Sequence, residues 1–451
     1  ALLLTACEPA GQSAVTLAAD RDALTAEGAT EFVTRAEWEL EDLAQEAERM
    51  AWVYSTYITQ DTELLSATAS KNFTARQVEL AAGAARFNDV PGIDGVTRRK
   101  LDMLRSGIVM PAPSDAAKTA EQAEIGARMG SMYGKGEYCY ADGECLDLGH
   151  LSDVMAESRD PEALLEAWNG WRRVSPPMKA MYSRQVELAN EGAAELGFAD
   201  LGTMWRSAYD MPPEDFPAEL DRLWGEVRPL YEALHCHVRA RLGVQYGTEL
   251  VDQHGPIPAH LLGNMWAQDW SNIYPLVAPG ENVSSYDLSA ILKERGFDAI
   301  TMVQAGEAFF SSLGFAELPD TFWQRSQFVK PQDRDVVCHA SAWNVDEKED
   351  LRIKMCIKVN AENFRVIHHE LGHNYYQRAY NDKSFLHRGS ANDGFHEAVG
   401  DTIALSITPE YLHRIGLIEN IPDASGDVAL LMKTALEGIA FIPFGLLVDQ
   451  W

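Results

Sequence analysis

His369-Glu370-Leu371-Gly372-His373, followed downstream by Gly394-Phe395-His396-Glu397-Ala398-Val399-Gly400-Asp401, is the stretch that decides how this chain is read. Residues four apart share a helix face, so His369 and His373 aim two imidazoles at one point, with Glu370 facing the same cleft. Asn360 is a good N-cap, and Phe364, Ile367, Leu371 and Tyr375, spaced by three and four, give this helix an apolar opposite face. A catalytic zinc keeps three protein ligands and leaves a fourth position to water, and Glu397 on a second helix completes the set. Asp401, four residues on, can accept the free ring N–H of a ligating histidine. Glu370 is then the general base that takes a proton from metal-activated water and passes it to the departing amine. The five-residue motif alone also arises on surface helices carrying two titrating histidines; Glu397, Asp401 and the apolar rear face argue for metal. His368 and His396 point elsewhere on their helices and read as packing or cleft residues.

Working outward, most of the chain reads as helix. Apolar residues recur at Leu43, Ala47, Met50, Tyr54 and Tyr57, which predicts one long amphipathic helix over 31–58. Similar patterns cover 74–85, 115–132, 161–174, 177–197, 217–242, 285–296, 302–313 and 428–441. Strand signals are few: 336–340 and 352–356, flanking a charged turn at 346–350, predict a small hairpin directly before the zinc helix. There is no internal repeat and no long Pro/Gly linker. The expected architecture is one mainly α unit, large and two-lobed, with a few short strands lining a cleft. The apolar run 442–451 has no cap or polar tail and would be exposed if the domain stopped there.

The 451 residues are enough for a sizeable core, and 46% hydrophobic with 24% charged residues is ordinary for a globular protein. The 68 acidic against 38 basic residues give a net charge of −30, which repels phosphate backbones and argues against nucleic acid as a partner. Leu2-Leu3-Leu4-Thr5-Ala6-Cys7 looks like the end of a secretory segment running into a bacterial lipobox. Cys7 is the expected lipidation site, residues 1–19 are signal remnant and tether, and the protein is expected across the inner membrane, periplasmic or at the cell surface. No other stretch reads as the about 18 apolar residues that span a bilayer. Cys139 with Cys145, and Cys338 with Cys356, read as two local disulfides of an oxidising compartment. Cys236 remains, expected as a buried free thiol; its neighbours His235 and His237 lie on different helical faces and do not form a metal site with it.

Four segments are similar to one known family. Cys338-His339-Ala340-Ser341-Ala342-Trp343, His368 through His373, Gly394 through Asp401, and Pro258-Ala259-His260-Leu261-Leu262-Gly263-Asn264-Met265-Trp266-Ala267-Gln268 closely resemble the angiotensin-converting enzyme family of zinc peptidyl-dipeptidases. The likeness runs from about Glu31 to Trp451 and implies a helical, deep-clefted fold that removes C-terminal dipeptides from oligopeptides. It implies zinc on His369, His373 and Glu397, with Glu370 as base. Both short cysteine pairs match disulfides of the family. His339 and Ala340 match positions that hold the substrate's backbone, and Gln268 one that binds its terminal carboxylate; without the family, Gln268 passes as an ordinary helix residue. Arg172 and Tyr209 match positions of two chloride sites. The family's other carboxylate-binding, oxyanion-stabilising and chloride residues are expected beyond Trp451, so residues 20–451 are expected to be a zinc peptidase domain lacking its C-terminal part. A noncatalytic, zinc-stabilised peptide-binding lipoprotein is the alternative, and a zinc endopeptidase of another clan a weaker one.

Overall fold

Capping residues set where the first helices begin. Thr25 accepts the Gly28 N–H at 3.0 Å and starts α1 (Ala26–Thr56); Thr59 forms a capping box with Thr62 at the head of α2 (Gln60–Ala85); Asp94 starts α3 (Gly95–Ser106). Their apolar faces meet around Phe32, Leu40, Leu80, Phe87 and Leu101. The structure, a computed structural model, describes residues 23–134, 136–278, 286–334, 336–422 and 427–450; the expected tether and Cys7 lie outside the described residues.

After α4 (Ala116–Gly134) comes a short antiparallel hairpin, β1 (Glu137–Cys139) with β2 (Cys145–Asp147), in which Cys139 stands opposite Cys145 and is disulfide-bonded to it. Next are α5 (Leu148–Glu157), α6 (Pro161–Trp171), α7 (Lys179–Glu195), α8 (Leu201–Arg206), α9 (Phe216–Tyr246) and α10 (Tyr274–Val277). α5, α6, α9 and the irregular chain between α9 and α10 share one large core, with Leu151, Met155, Trp171, Val238, Leu242 and Met265 inside it.

A second large core belongs to the downstream elements. These are α11 (Leu288–Glu294), α12 (Ala299–Ser312), α13 (Asp320–Arg325), the hairpin β3 (Ser341–Asn344) and β4 (Leu351–Lys354), then α14 (Ala361–Tyr380), α15 (Asp393–Leu405) and α16 (Pro409–Arg414). Val303, Phe310, Phe322, Ile353, Phe364, Ile367 and Leu371 fill it. A π-helical turn, Ala435–Ile439, joins α17 (Asp427–Thr434) to α18 (Ala440–Gln450). With 64% helix and, among the described residues, two two-stranded sheets, the chain is mainly α, as its periodicity predicts.

Four expectations need correction. The hairpin exists, but its first strand is 341–344, not 336–340. Asp346 accepts the N–H groups of Lys348, Glu349 and Asp350, so the turn is tight and pairs Asn344 with Leu351. Segment 336–340 is left outside the ladder. Cys236 is free as expected but exposed rather than buried, because α9 buries Leu234, Val238 and Leu242 on its other face. Gln268 lies in a bend, not a helix. Finally, 427–450 is a helical stretch long and apolar enough to cross a bilayer by length and composition. It packs on the protein through Leu436 and Ala440, with Leu447 and Val448 exposed.

Candidate metal centre

The side chain of Asn360 accepts the Asn363 N–H at 2.8 Å and starts α14, whose rear face buries Phe364, Ile367, Leu371 and Tyr375. His368 belongs to that buried face: its Nδ1–H donates to the Phe364 carbonyl (2.7 Å) and its Nε2 accepts from the Tyr411 hydroxyl (3.0 Å). Complete burial holds it neutral, its pKa pushed down to about 4. It is a core histidine, not a ligand. His369 and His373 emerge on the opposite face, their Nε2 atoms 3.0 Å apart.

α15 crosses α14 at two glycines. A Cβ on Gly372 would stand 3.1 Å from the Gly400 Cα, and a Cβ on Gly400 would stand 2.7 Å from the His369 ring. This close approach lets Glu397 reach the histidines, with Oε2 3.3 Å from His369 Nε2 and Oε1 3.8 Å from His373 Nε2. Ligand atoms about 2.1 Å from a tetrahedral zinc sit about 3.4 Å from one another. The separations of 3.0, 3.3 and 3.8 Å bracket that spacing, and the donor set of two imidazoles and one carboxylate suits zinc. The residues therefore fit the ion.

Contacts behind the donor atoms fix the ring orientations. His369 Nδ1 is 3.1 Å from Asp401 Oδ1, which leaves Nε2 as the ligand atom. His373 Nδ1 is 3.2 Å from His396 Nδ1, and His396 Nε2 is 2.9 Å from the Tyr380 hydroxyl. If His373 ligates through Nε2, its Nδ1–H donates to His396, whose Nε2–H donates to Tyr380. Burial, with His369 alongside, pushes the His373 pKa down to about 4, so its ring is in the neutral form that metal binding needs. Glu370 is buried beside the pair. Desolvation raises its pKa; the charge of Glu397 adds to this, and His369, His339 and Lys354 oppose it.

Of the residues matched to substrate binding, His339 and Ala340 lie in the segment before β3, and Gln268 lies in the bend before α10. His339 is exposed, with its Nδ1 bonded to the Ala340 carbonyl at 2.8 Å, and its charge acts on Glu370. Cys338 is disulfide-bonded to Cys356, so both expected disulfides are formed. Gln268 follows Ala267, a non-glycine residue at φ 54°, in the left-handed region where L side chains are strained. The bend is tied to the π turn by the Trp270 N–H donating to the Leu436 carbonyl at 2.9 Å. Glu437 in that turn has a raised pKa, from burial and then from Asp269 and Asp401, so the Gln268 bend and α15 both act on it. Arg172 is the C-cap of α6, and Tyr209 follows α8. Arg172 sits 3.1 Å over the Trp168 ring and donates to the Trp168 and Met265 carbonyls; burial lowers its pKa to about 10. Tyr209 packs on Phe216.

Three features of the site escape a sequence reading: the glycine crossing, the His396–Tyr380 chain and Lys354. Glycine in a helix interior is itself a signal, because it costs about 1 kcal/mol against alanine and needs a packing reason. Gly372 and Gly400 carry that signal. No comparable signal marks the other two.

The sequence profile described as angiotensin-converting enzyme, of the M2 peptidases, matches residues 23–451. Among similar proteins, the angiotensin-converting enzyme of Sus scrofa is 37% identical over 94% of this chain and 33% of its own length. That of Bos taurus is 42% identical over 76% of this chain and 26% of its own length. That of Theromyzon tessulatum is 44% identical over 68% of this chain and 50% of its own length. The chain thus spans about a third or less of the two mammalian proteins and half of the third.

Proposed function

This chain belongs to the angiotensin-converting enzyme family of peptidases, and we propose that it is a zinc-dependent peptidyl-dipeptidase that releases C-terminal dipeptides from oligopeptides. The observation that carries this reading is the convergence of His369 Nε2, His373 Nε2 and the Glu397 carboxylate within 4.8 Å of one another, with Glu370 buried alongside. Zinc held by these three residues supplies Lewis acidity, which lowers the pKa of water and polarises the scissile carbonyl. Glu370 takes the proton from the attacking water on its carboxylate and delivers it to the leaving amine nitrogen. Its raised pKa makes it a better proton acceptor than an ordinary carboxylate, as a group that takes up and then returns a proton needs. Asp401 and His396 hold the two imidazoles in the ligating orientation. His339 and Ala340 hold the peptide backbone, and Gln268 takes the terminal carboxylate and so sets the two-residue register.

The same reading assigns residues 20–451 to one peptidase domain and chloride to Arg172 and Tyr209. It makes the protein a lipid-anchored one on Cys7, in an extracytoplasmic compartment; the two disulfides support an oxidising setting. The test is an N-blocked tripeptide incubated with the zinc-loaded protein. A dipeptide is released, chelation stops the release and zinc restores it. Glu370→Gln keeps one zinc per chain and loses turnover by about 10²-fold or more; retained turnover removes Glu370 from the mechanism. A zinc-loaded protein that binds the peptide but releases no dipeptide supports the noncatalytic peptide-binding alternative.

A further inference from the structure

Lys354, the last residue of β4, is 2% exposed. Its ammonium donates to the Val337 carbonyl at 2.8 Å and to the His339 carbonyl at 2.6 Å. Burying an ammonium is costly, and an apolar side chain of the same length would be cheaper to pack. Arg352, on the same side of the strand, shows the ordinary solution: it pairs with Asp350 through two nitrogens at 2.9 and 2.7 Å. Lys354 instead spends its donors on backbone. The reason lies in the ladder, which begins only at Ser341, opposite Lys354 itself, so the carbonyls of Val337 and His339 have no strand partner. One ammonium carries three N–H donors and satisfies both.

We propose that Lys354 is a positioning residue for peptide cleavage: its buried ammonium gathers the carbonyls of Val337 and His339 and so fixes the 337–340 segment as the substrate-binding wall beside Glu370. The inference rests on the reading of His339 and Ala340 as peptide-holding residues. Two other ties act on the same segment. Cys338, between the two bound carbonyls, is disulfide-bonded to Cys356, two residues past Lys354. The Val337 N–H donates to the Ser55 carbonyl at the end of α1, 2.8 Å away. The disulfide limits how far the segment moves, whereas the ammonium sets where its carbonyls point. α14, which carries Glu370, is tied to the same hairpin: the Asn374 side-chain amide donates to the Trp343 and Arg352 carbonyls, 3.4 Å away in each case.

The test compares Lys354→Met, which keeps length and removes the donors, with Lys354→Gln, which keeps an N–H₂ donor without charge. Hydrogen exchange of peptides covering 336–343 and 361–380 is measured together with zinc content and with KM and kcat for the N-blocked tripeptide. Lys354→Met is expected to exchange faster in 336–343 and unchanged in 361–380, and to keep its zinc. Its KM rises about tenfold with kcat within about threefold, the pattern of lost ground-state binding. Lys354→Gln recovers part of both the exchange protection and the KM. Unchanged exchange in 336–343, or a variant that loses stability with KM intact, overturns the proposal. If the parent protein releases no dipeptide, the functional reading fails, while the exchange data still decide whether Lys354 fixes the segment. If Lys354→Met does not fold, the same readouts on Lys354→Gln decide it.

Discussion

Replacing Gly400 by alanine tests the geometry of the centre most directly. The new Cβ would lie 2.7 Å from both His369 Cε1 and Nδ1 and 3.0 Å from Cγ, whereas ordinary contact starts near 3.4 Å, so about 0.7 Å of room is missing. The His369 ring cannot swing away freely, because Asp401 holds one nitrogen at 3.1 Å while the other faces His373 at 3.0 Å. Moving α15 instead carries Glu397 and Asp401 away from α14. Either adjustment exceeds the roughly 0.2 Å tolerance of metal–ligand distances several times over. We expect zinc affinity to fall about 10–100-fold, the range seen when a ligand's supporting contact is lost, and turnover to fall with it. Overpacking costs about 1–3 kcal/mol, against about 1 kcal/mol gained from alanine's helix propensity, so net stability falls. Gly225→Ala in α9 is the control: nothing lies within 4 Å of its added Cβ, so only the propensity gain remains. Competition with a chromophoric zinc chelator and urea unfolding read both variants. A Gly400→Ala protein that binds zinc like the parent and is stabilised like Gly225→Ala would refute the close-crossing argument.

Asp401→Asn should weaken zinc binding by about 10–100-fold, equivalent to about 1.4–2.7 kcal/mol, because the His369 Nδ1–H loses its charged acceptor; an unchanged affinity in the chelator competition would show that Asp401 does not orient the ring. His368 makes stability depend on pH. Its folded pKa of about 4 lies below the about 6.5 of an unfolded histidine. Above pH 6.5 both states are neutral and its contribution is complete; as pH falls below that, only the unfolded chain gains a proton, so stability drops until about pH 4. Between pH 7 and 5 the loss from this residue is about 2 kcal/mol. His368→Asn, which can still donate to the Phe364 carbonyl but does not titrate, should lose that much less in urea unfolding over the same interval.

The candidate metal ligands and base are legible in the sequence because the helix period alone decides which side chains share a face. His369, Glu370 and His373 needed only the spacing, and the apolar positions of α14 told the buried side from the open one. The first half of α2 was not legible: between Gln60 and Phe73 only Thr62 and Ala69 are buried, too few to set a period, and packing on α1 supports it. The misplaced strand has a similar cause. Val336 and Val337 are β-branched, but the turn held by Asp346 pairs 341–344 with β4, and propensity yields to that register.

Lys354 shows why the rest was hidden. In Leu351-Arg352-Ile353-Lys354-Met355 the alternation puts three apolar residues on one face and two cations on the other, a pattern that describes a half-exposed strand. Leu351, Ile353 and Met355 do face the core. The other face is covered as well, by chain from far upstream: Arg352 stacks over Trp52 of α1 at 4.8 Å, and Trp52 meets the Trp343 ring edge-on at 5.5 Å. α1 therefore turns a solvated face into an interior one, and the two cations resolve their burial differently, Arg352 with a carboxylate and Lys354 with the carbonyls of Val337 and His339. Periodicity within one element cannot report what another element lays over it. The candidate ligands are legible because they come from local spacing, whereas Gly400 at the helix crossing and Lys354 at the end of β4 take their places from contacts between distant segments.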